Sequence, residues 1–270
     1  MAPRSERRRQ AHGLERLHGR HAIEEALRAR RRPLKRLLVR RDPAGAELDG
    51  LVGLAREAGL EVVELDAPRL AELVETGEAG VQGAVLEAGP LPEWGSVGEL
   101  CRATQGEAGT RRLVVLDGVE DPQNVGSIAR VADAAGAAGL VLARRRSPPL
   151  TPAVARASAG AIEWLPVARV GNLVRALEEL KDQGFWILAA DPSADQELYE
   201  MPDKLLGGDV AVLLGAEGRG LRPGIQGAVD HPIRLPMGGH VASLNVATAA
   251  AVLLYELLRR RPGPGGAGSP

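Results

Sequence analysis

Three stretches of this chain, Leu113–Leu116, Trp186–Ala190 and Val210–Leu214, are apolar at nearly every position. Side chains alternate between the two faces of a strand, so a strand with one wet face alternates polar with apolar residues. Unbroken apolar runs instead suit strands buried on both faces, in a parallel sheet covered by helices above and below. The neighbouring segments fit such an α/β alternation. Arg112–Leu116 reads as a strand, Val125–Ala135 as a helix and Leu140–Ala143 as a strand. Pro152–Ala159 and Val170–Asp182 read as helices, and Phe185–Ala190 and Val210–Leu214 as strands. The last helix is expected to begin near Ser243, a good N-cap, with Ala247, Ala250, Ala251, Leu254 and Leu258 on one face. It closes on Arg259, Arg260 and Arg261, cations set against the negative end of the helix dipole.

A smaller α/β region precedes this sheet. A helix is expected from His18 to Arg32, with Ala22, Ile23, Ala26 and Leu27 as its apolar stripe, and Pro33 breaks it. Leu34–Arg40, Leu60–Leu65 and Gln82–Glu87 read as strands, and Ala46–Ala58 and Pro68–Glu75 as helices, the first of them ended by Gly59. Gly, Pro, Glu and Thr then dominate as far as residue 111, with one short helix expected at Val97–Ala103. The expected organisation is a basic disordered arm over 1–13, a small α/β domain over 14–88 and a linker over 89–111. A larger α/β domain follows over 112–262, then a disordered tail over 263–270.

Hydrophobic residues make up 44% of the chain, enough for a core, but aromatics only 2%, so that core is aliphatic. Cys101 is the only cysteine, which excludes an internal disulfide and a cysteine-based zinc site and fits a reducing cytoplasm. His12, His18, His21, His231 and His240 show no metal-ligand spacing. No run of about 18 apolar residues suggests a membrane span. The net charge of −1 conceals a segregation. Residues 1–41 carry fourteen Arg/Lys against four Glu, whereas residues 42–90 carry eleven Asp/Glu against two Arg. The arm with Arg4, Arg7, Arg8 and Arg9 suits contacts to nucleic-acid phosphates, or serves merely as a solvated tail.

Three polar, Gly-rich segments follow expected strands, where open α/β sheets place their ligands. The first runs from Asp117 to Arg130, the second is Gly215–Gly220 and the third runs from Leu235 to Asn245. Each is also compatible with an ordinary surface turn, since glycine supplies a positive φ or a close backbone approach without any ligand. The glycines of the second segment are spaced G-x-x-G-x-G, not as the dinucleotide fingerprint, and no Walker pattern occurs.

Together the segments resemble the SpoU/TrmH (SPOUT) family of RNA ribose 2′-O-methyltransferases. Asn124, Gly126 and Arg130 match its N-x-G-x-x-x-R motif, and Gly215 and Glu217 its glycine–glutamate motif. Leu235, Pro236, Met237, Ser243, Leu244, Asn245 and Val246 match the third motif, which runs on to Tyr255 and Glu256. The stretches from His18 to Leu27 and from Val81 to Val85 resemble the L30e-like substrate-binding domain of one subgroup. That subgroup methylates a guanosine ribose in the peptidyl-transferase region of large-subunit ribosomal RNA.

The resemblance implies a parallel-sheet SPOUT domain with a deep trefoil knot, S-adenosylmethionine bound in the knot, and a homodimer formed beside it. RNA is the implied partner, with neither metal nor membrane. Carried over by position, the cofactor contacts fall on Gly215, Leu235 and Leu244, with Met237 and the backbone around Ala189 and Ala190 as neighbours. The family pattern puts Arg130 where the hydroxyl proton is lost. An arginine keeps its proton through the physiological range, so an orienting cation is the better reading of this position than a base. Asn124 is expected to hold the ribose or Arg130, and Glu217 to anchor Arg130 or tie the motif loops. Ser243 is either a substrate residue or merely an N-cap, and Asn245, expected in the first helical turn, binds substrate or braces the fold. Two alternatives stay open: methylation of another RNA, in transfer RNA or at a drug-binding site, and a non-catalytic RNA-binding assembly factor. The N-terminal domain favours ribosomal RNA, and the intact polar set favours catalysis.

Overall fold

The computed structural model describes residues 13–41, 46–74, 81–104, 110–216, 218 and 220–261. The N-terminal elements are β1 (Glu15–His18), α1 (Arg20–Ala29), β2 (Leu34–Arg40), α2 (Ala46–Glu57), β3 (Glu61–Leu65), α3 (Ala67–Ala71) and β4 (Ala84–Ala88). There follow α4 (Val97–Ala103), β5 (Arg112–Asp117), α5 (Pro122–Ala134), β6 (Gly139–Ala143), α6 (Pro152–Ala157), β7 (Val167–Val170), α7 (Leu173–Asp182) and β8 (Trp186–Ala190). The chain ends with α8 (Asp203–Leu206), β9 (Val210–Gly215), α9 (Pro223–Gln226), β10 (His231–Ile233) and α10 (Val246–Arg259). The tail, and the arm apart from Gly13, lie outside the described residues. Contacts group the chain into two compact units, Met1–Pro92 with Pro149–Trp164, and Glu93–Pro148 with Leu165–Pro270.

In the first unit the strand order is β1-β4-β2-β3, with β4 antiparallel to both its neighbours and β2 parallel to β3. The apolar stripe of α1, Ala22, Ile23, Ala26 and Leu27, is buried as its periodicity predicts. That helix starts at Arg20, not His18, because Gly19 at φ 89 breaks the chain between it and β1. The chain over Pro149–Trp164 joins this unit through a buried ion pair. Arg32 Nε and Nη2 donate to the two carboxylate oxygens of Glu163 at 2.9 and 2.8 Å, and Nη1 donates to Glu15 at 2.7 Å. Both the Arg32 and the Glu163 side chains are fully buried. Burial pushes the Glu163 carboxyl above its ordinary value, and Arg32 offsets only part of that rise. Gly160 lies so close to α1 that a Cβ there would stand 2.6 Å from Glu25 Cβ and 2.8 Å from the His21 carbonyl.

The second unit holds the expected parallel sheet, all six strands parallel in the order β10-β8-β9-β5-β6-β7. Leu113, Val115, Ile187, Ala189, Ala211 and Leu213 pack on one side against residues of α4, α7 and α9. The alternate residues Val114, Leu116, Leu188, Val212 and Leu214 are equally buried on the other side, where α5 and α10 pack on each other. Two short strands differ from the sequence reading. Val167–Val170 is a strand, and the helix expected from Val170 begins at Leu173, capped by Asn172 Oδ1 accepting from Arg175 N at 3.2 Å. His231–Ile233 is an edge strand, where Pro232 is tolerated because one side needs no donor. No helix among the described residues is long and apolar enough to cross a membrane.

Glu256 fastens the end of α10. It accepts from Arg259 at 2.8 Å and from Arg260 at 2.6 Å, and Arg260 also donates to the Tyr199 carbonyl and to Asp203. The Arg259 hydrogen bonds, against partial burial and with help from Arg260, hold the Glu256 carboxyl down at about 2.

Two stability measurements follow from these pairs. Arg32→Ala leaves a buried carboxylate without its partner, and should lower the unfolding free energy in urea by about 3 kcal/mol or more. A loss under about 1 kcal/mol would mean that water reaches the pair. A carboxyl depressed on folding stabilises above its unfolded value of about 4.3 and loses that contribution as pH falls toward the folded value. Glu256→Gln should therefore lower Tm at pH 7, with the gap from wild type closing between about pH 4.5 and 2.

Candidate active site at the carboxyl edge

Because the strands are parallel, all six carboxyl ends leave on one edge. The chain proceeds from β5 to β6 and β7 on one side and returns to β8, β9 and β10 on the other. The boundary between β5 and β9 is thus the switch point where open α/β sheets bind ligands. Asp117 pairs with Gly215 across that boundary, so the first two Gly-rich segments emerge side by side.

Gly215 is fixed by what lies over it. A Cβ there would come within 2.4 Å of the Gly220 carbonyl carbon and 2.7 Å of Leu221 N, so the loop is folded back onto the strand end. Gly220 N donates to the Ala216 carbonyl at 2.9 Å, and Gly218 and Gly220 take φ of 72 and 61. Glu217, expected here as a site residue, lies outside the described residues. The far end of the loop is pinned by Arg222. Its Nε donates to Asp117 Oδ1 at 2.6 Å and its backbone N to Oδ2 at 3.2 Å, and the Asp117 side chain is fully buried. Sequence reasoning singled out neither partner; its only signal is an acidic residue closing an apolar strand.

The third segment leaves β10 through Arg234, which is held by Glu197 at 2.5 Å and by the carbonyls of Ala194 and Asp195. From Leu235 to Leu244 the chain forms no helix or strand, and its peptide groups make no backbone–backbone hydrogen bond among the described residues. Leu235 and Met237 are half-buried, Leu244 is 37% exposed, and Ser243 and His240 are exposed.

The segment ends at Asn245, which is the N-cap of α10. Its Oδ1 accepts from Ala247 N at 2.9 Å and Thr248 N at 3.3 Å. This corrects the expectation that Ser243 caps the helix and that Asn245 sits inside its first turn. The helix starts at Val246, so Ser243 is two residues too early to reach its open amides. Asn245 Nδ2 donates to Asn124 Oδ1 at 3.0 Å, bringing together two motif residues 121 positions apart.

Of the remaining expected residues, Ala189 is fully buried, its backbone laddered between Leu213 of β9 and Pro232 of β10. Gly215, Ala189 and Leu235 thus gather at or next to the carboxyl ends of three adjacent strands. Arg130 is exposed on α5, and among the described residues no hydrogen bond ties it to Asn124 or Asn245. Among those residues there is also no group of three His, Cys, Asp or Glu able to hold a metal ion.

An open parallel sheet with three glycine-rich connections converging on its switch point defines a ligand-binding α/β protein. Comparison with known proteins gives the class. Residues 111–255 match the SpoU rRNA Methylase family, and residues 16–94 match the RNA 2′-O ribose methyltransferase substrate-binding family. The chain belongs to the SpoU rRNA methylase family. It is 37% identical to the 23S rRNA (guanosine-2′-O-)-methyltransferase RlmB of Pseudomonas syringae pv. tomato, over 92% of this chain and 96% of that one. It is 36% identical to the protein of the same name from Pseudomonas putida, over 92% and 97%. Among solved structures, an RNA 2′-O ribose methyltransferase superposes with a TM-score of 0.71 at 27% identity, covering 94% of this chain and 91% of that one. The SpoU methyltransferase AviRb of Streptomyces viridochromogenes shares the fold, with a TM-score of 0.74 at 23% identity, covering 96% and 94%.

The close approach at Gly215 makes a local prediction. Gly215→Ala should push the loop off the strand end, and hydrogen exchange at the Gly220 amide should accelerate at least tenfold while β5 amides keep their protection. Unchanged exchange at Gly220 would show that the loop was not held there.

Proposed function

We propose that this protein transfers the methyl group of S-adenosylmethionine to a ribose 2′-hydroxyl in RNA, and that its target is a guanosine in the peptidyl-transferase region of 23S ribosomal RNA. The observation that carries this reading is the Asn124–Asn245 hydrogen bond at 3.0 Å, which joins two family motifs. The segment Leu235–Leu244 fits the cofactor: its peptide groups have no backbone partner among the described residues, and Leu235, Met237 and Leu244 offer apolar surface for an adenine. Gly215, Leu235 and Leu244 hold the cofactor, Met237 flanks it, and Ala189 shapes the floor from the end of β8. When bound, S-adenosylmethionine supplies a methyl group activated on a sulfonium.

The chain's own residues then have to align the ribose hydroxyl and manage its proton. Arg130, a fixed cation with a fork of donors, orients the hydroxyl and the adjacent phosphate. Asn124, held by Asn245, positions the ribose or Arg130, and Glu217 ties Arg130 to the second motif. Ser243 is left for the substrate side, since it does not cap the helix. The α/β domain over 14–88 clamps the RNA, the region over 112–262 carries out the transfer, and both act in the cytoplasm.

The catalytic region takes the deep trefoil knot of its family. In support, β10 lies at the sheet edge whereas α10 packs on α5 and β9, so the chain between them crosses back over the strand ends. It forms a homodimer beside the knot, a reading supported by large apolar side chains left exposed, Val241 at 66% in this segment and Tyr255 at 52% on α10.

The test is incorporation of labelled methyl from S-adenosylmethionine into deproteinised large-subunit ribosomal RNA, with mapping of the product. A single 2′-O-methylguanosine in the peptidyl-transferase region is expected, and Arg130→Ala should lower kcat by about 100-fold or more. Methylation at another site would discard the target and keep the chemistry. Cofactor binding with no transfer to this RNA, transfer RNA or precursor particles would overturn the enzymatic reading.

A further inference from the structure

We propose that the turn formed by Arg144, Arg145 and Arg146 at the carboxyl end of β6 is a phosphate-binding site that registers the RNA strand on the reaction edge. This rests on the reading of RNA as the substrate.

The turn is built from below. Arg144 N donates to the Val170 carbonyl at 2.7 Å, and the Arg169 guanidinium donates to the Pro148 carbonyl at 2.7 Å and the Ser147 carbonyl at 3.4 Å. Arg169 is itself held by Glu93 at 3.0 Å. The backbone of residues 144–148 is therefore stapled to the edge strand β7, while all three arginine side chains are exposed. Arg145 and Arg146 have no hydrogen bond or ion pair among the described residues, so their donors are available. Arg144 Nη2 donates to the Arg169 carbonyl at 3.4 Å, but three adjacent guanidiniums repel one another, and Arg145 and Arg146 return no bond to the fold among the described residues.

Arg146 sharpens the case. It sits at φ 70, in the left-handed region where glycine is the unstrained residue. The three other described non-glycine residues with positive φ are Arg30 and Ala159, which follow helix ends, and Gln82, which precedes β4. Of these four residues, Arg146 is the one at the carboxyl edge of the catalytic sheet, and it has no hydrogen bond or ion pair among the described residues. Strain kept at such a place points to a ligand.

The position fits an RNA strand. β6 lies beside β5, with Leu142 paired to Leu116, and β5 lies beside β9. The turn thus starts about 5 Å from the end of β5 and about 10 Å from Gly215, at the usual strand spacing. Guanidiniums grip phosphate oxygens bidentately and read no base identity, so this turn sets register and affinity, not the choice of nucleotide.

The experiment measures binding of the full-length protein to a fluorescein-labelled transcript of the peptidyl-transferase region of 23S ribosomal RNA across a potassium chloride series. The double variant Arg145→Ala, Arg146→Ala should bind about tenfold more weakly at about 0.15 M salt, and its salt slope should fall by about 1.4, near 0.7 per lost phosphate contact on single-stranded RNA. Its Tm and its affinity for S-adenosylmethionine should match wild type. Arg146→Gly separates ligand from structure: Tm should hold or rise as strain is relieved, while RNA affinity drops about threefold. Wild-type binding matched within twofold by the double variant, with the same slope, would sink this assignment alone. A wild-type protein that shows no salt-dependent binding to the transcript would overturn the RNA reading and this site with it.

Discussion

A parallel sheet cannot be closed by tight turns. Each strand must be followed by a crossover that returns the chain to the same starting edge, and this constraint organises the second unit. Helices cover both faces, so Leu113–Leu116 and Val210–Leu214 are buried throughout and leave no polar surface on the flat of the sheet. Chemistry is confined to the rim. At one rim the six carboxyl ends deliver Asp117, Gly215 and, beyond Ile233, Leu235 to neighbouring positions, although these residues span most of the catalytic sequence.

The rim is shaped by backbone more than by side chains. Gly215 has no Cβ because the Gly220 peptide occupies that space, and Asp117 spends its buried carboxylate on Arg222 rather than on a reactant. The long segment from Leu235 makes no backbone–backbone hydrogen bond among the described residues until Asn245 starts a helix and reaches across to Asn124. Peptide groups with no backbone partner among the described residues, beside aliphatic walls, suit a nucleoside with an uncharged base.

Much of this was legible in the sequence, and the limits have physical causes. Central strands announced themselves because burial on both faces writes an uninterrupted apolar run. The three strands that went unread, Glu15–His18, Val167–Val170 and His231–Ile233, are all edge strands. They are short, have a neighbouring strand on one flank alone, and accommodate Arg16, Arg169 and Pro232. The glycine-rich segments stood out as segments, but the bonds within the site did not. Asp117 and Arg222 are 105 positions apart, and nothing local marks them as partners. The last helix shows the opposite failure: a local signal at Ser243 was real in kind but lost to Asn245, whose longer side chain sits where the amides are.

The helix Pro152–Ala157 and the turn ending at Glu163 fall within the stretch that matches the methylase family, yet they pack with the first unit. The polypeptide consequently passes between the two units three times, near residues 92, 148 and 164. A module joined by one linker can be lost, duplicated or traded by a single recombination event. This one cannot. A chain starting afresh at Glu93 would carry Val154, Ala155 and Ile162 with nothing to cover them and a Glu163 carboxylate severed from Arg32. Shedding residues 1–92 would therefore mean rewriting the sixteen residues Pro149–Trp164 as well.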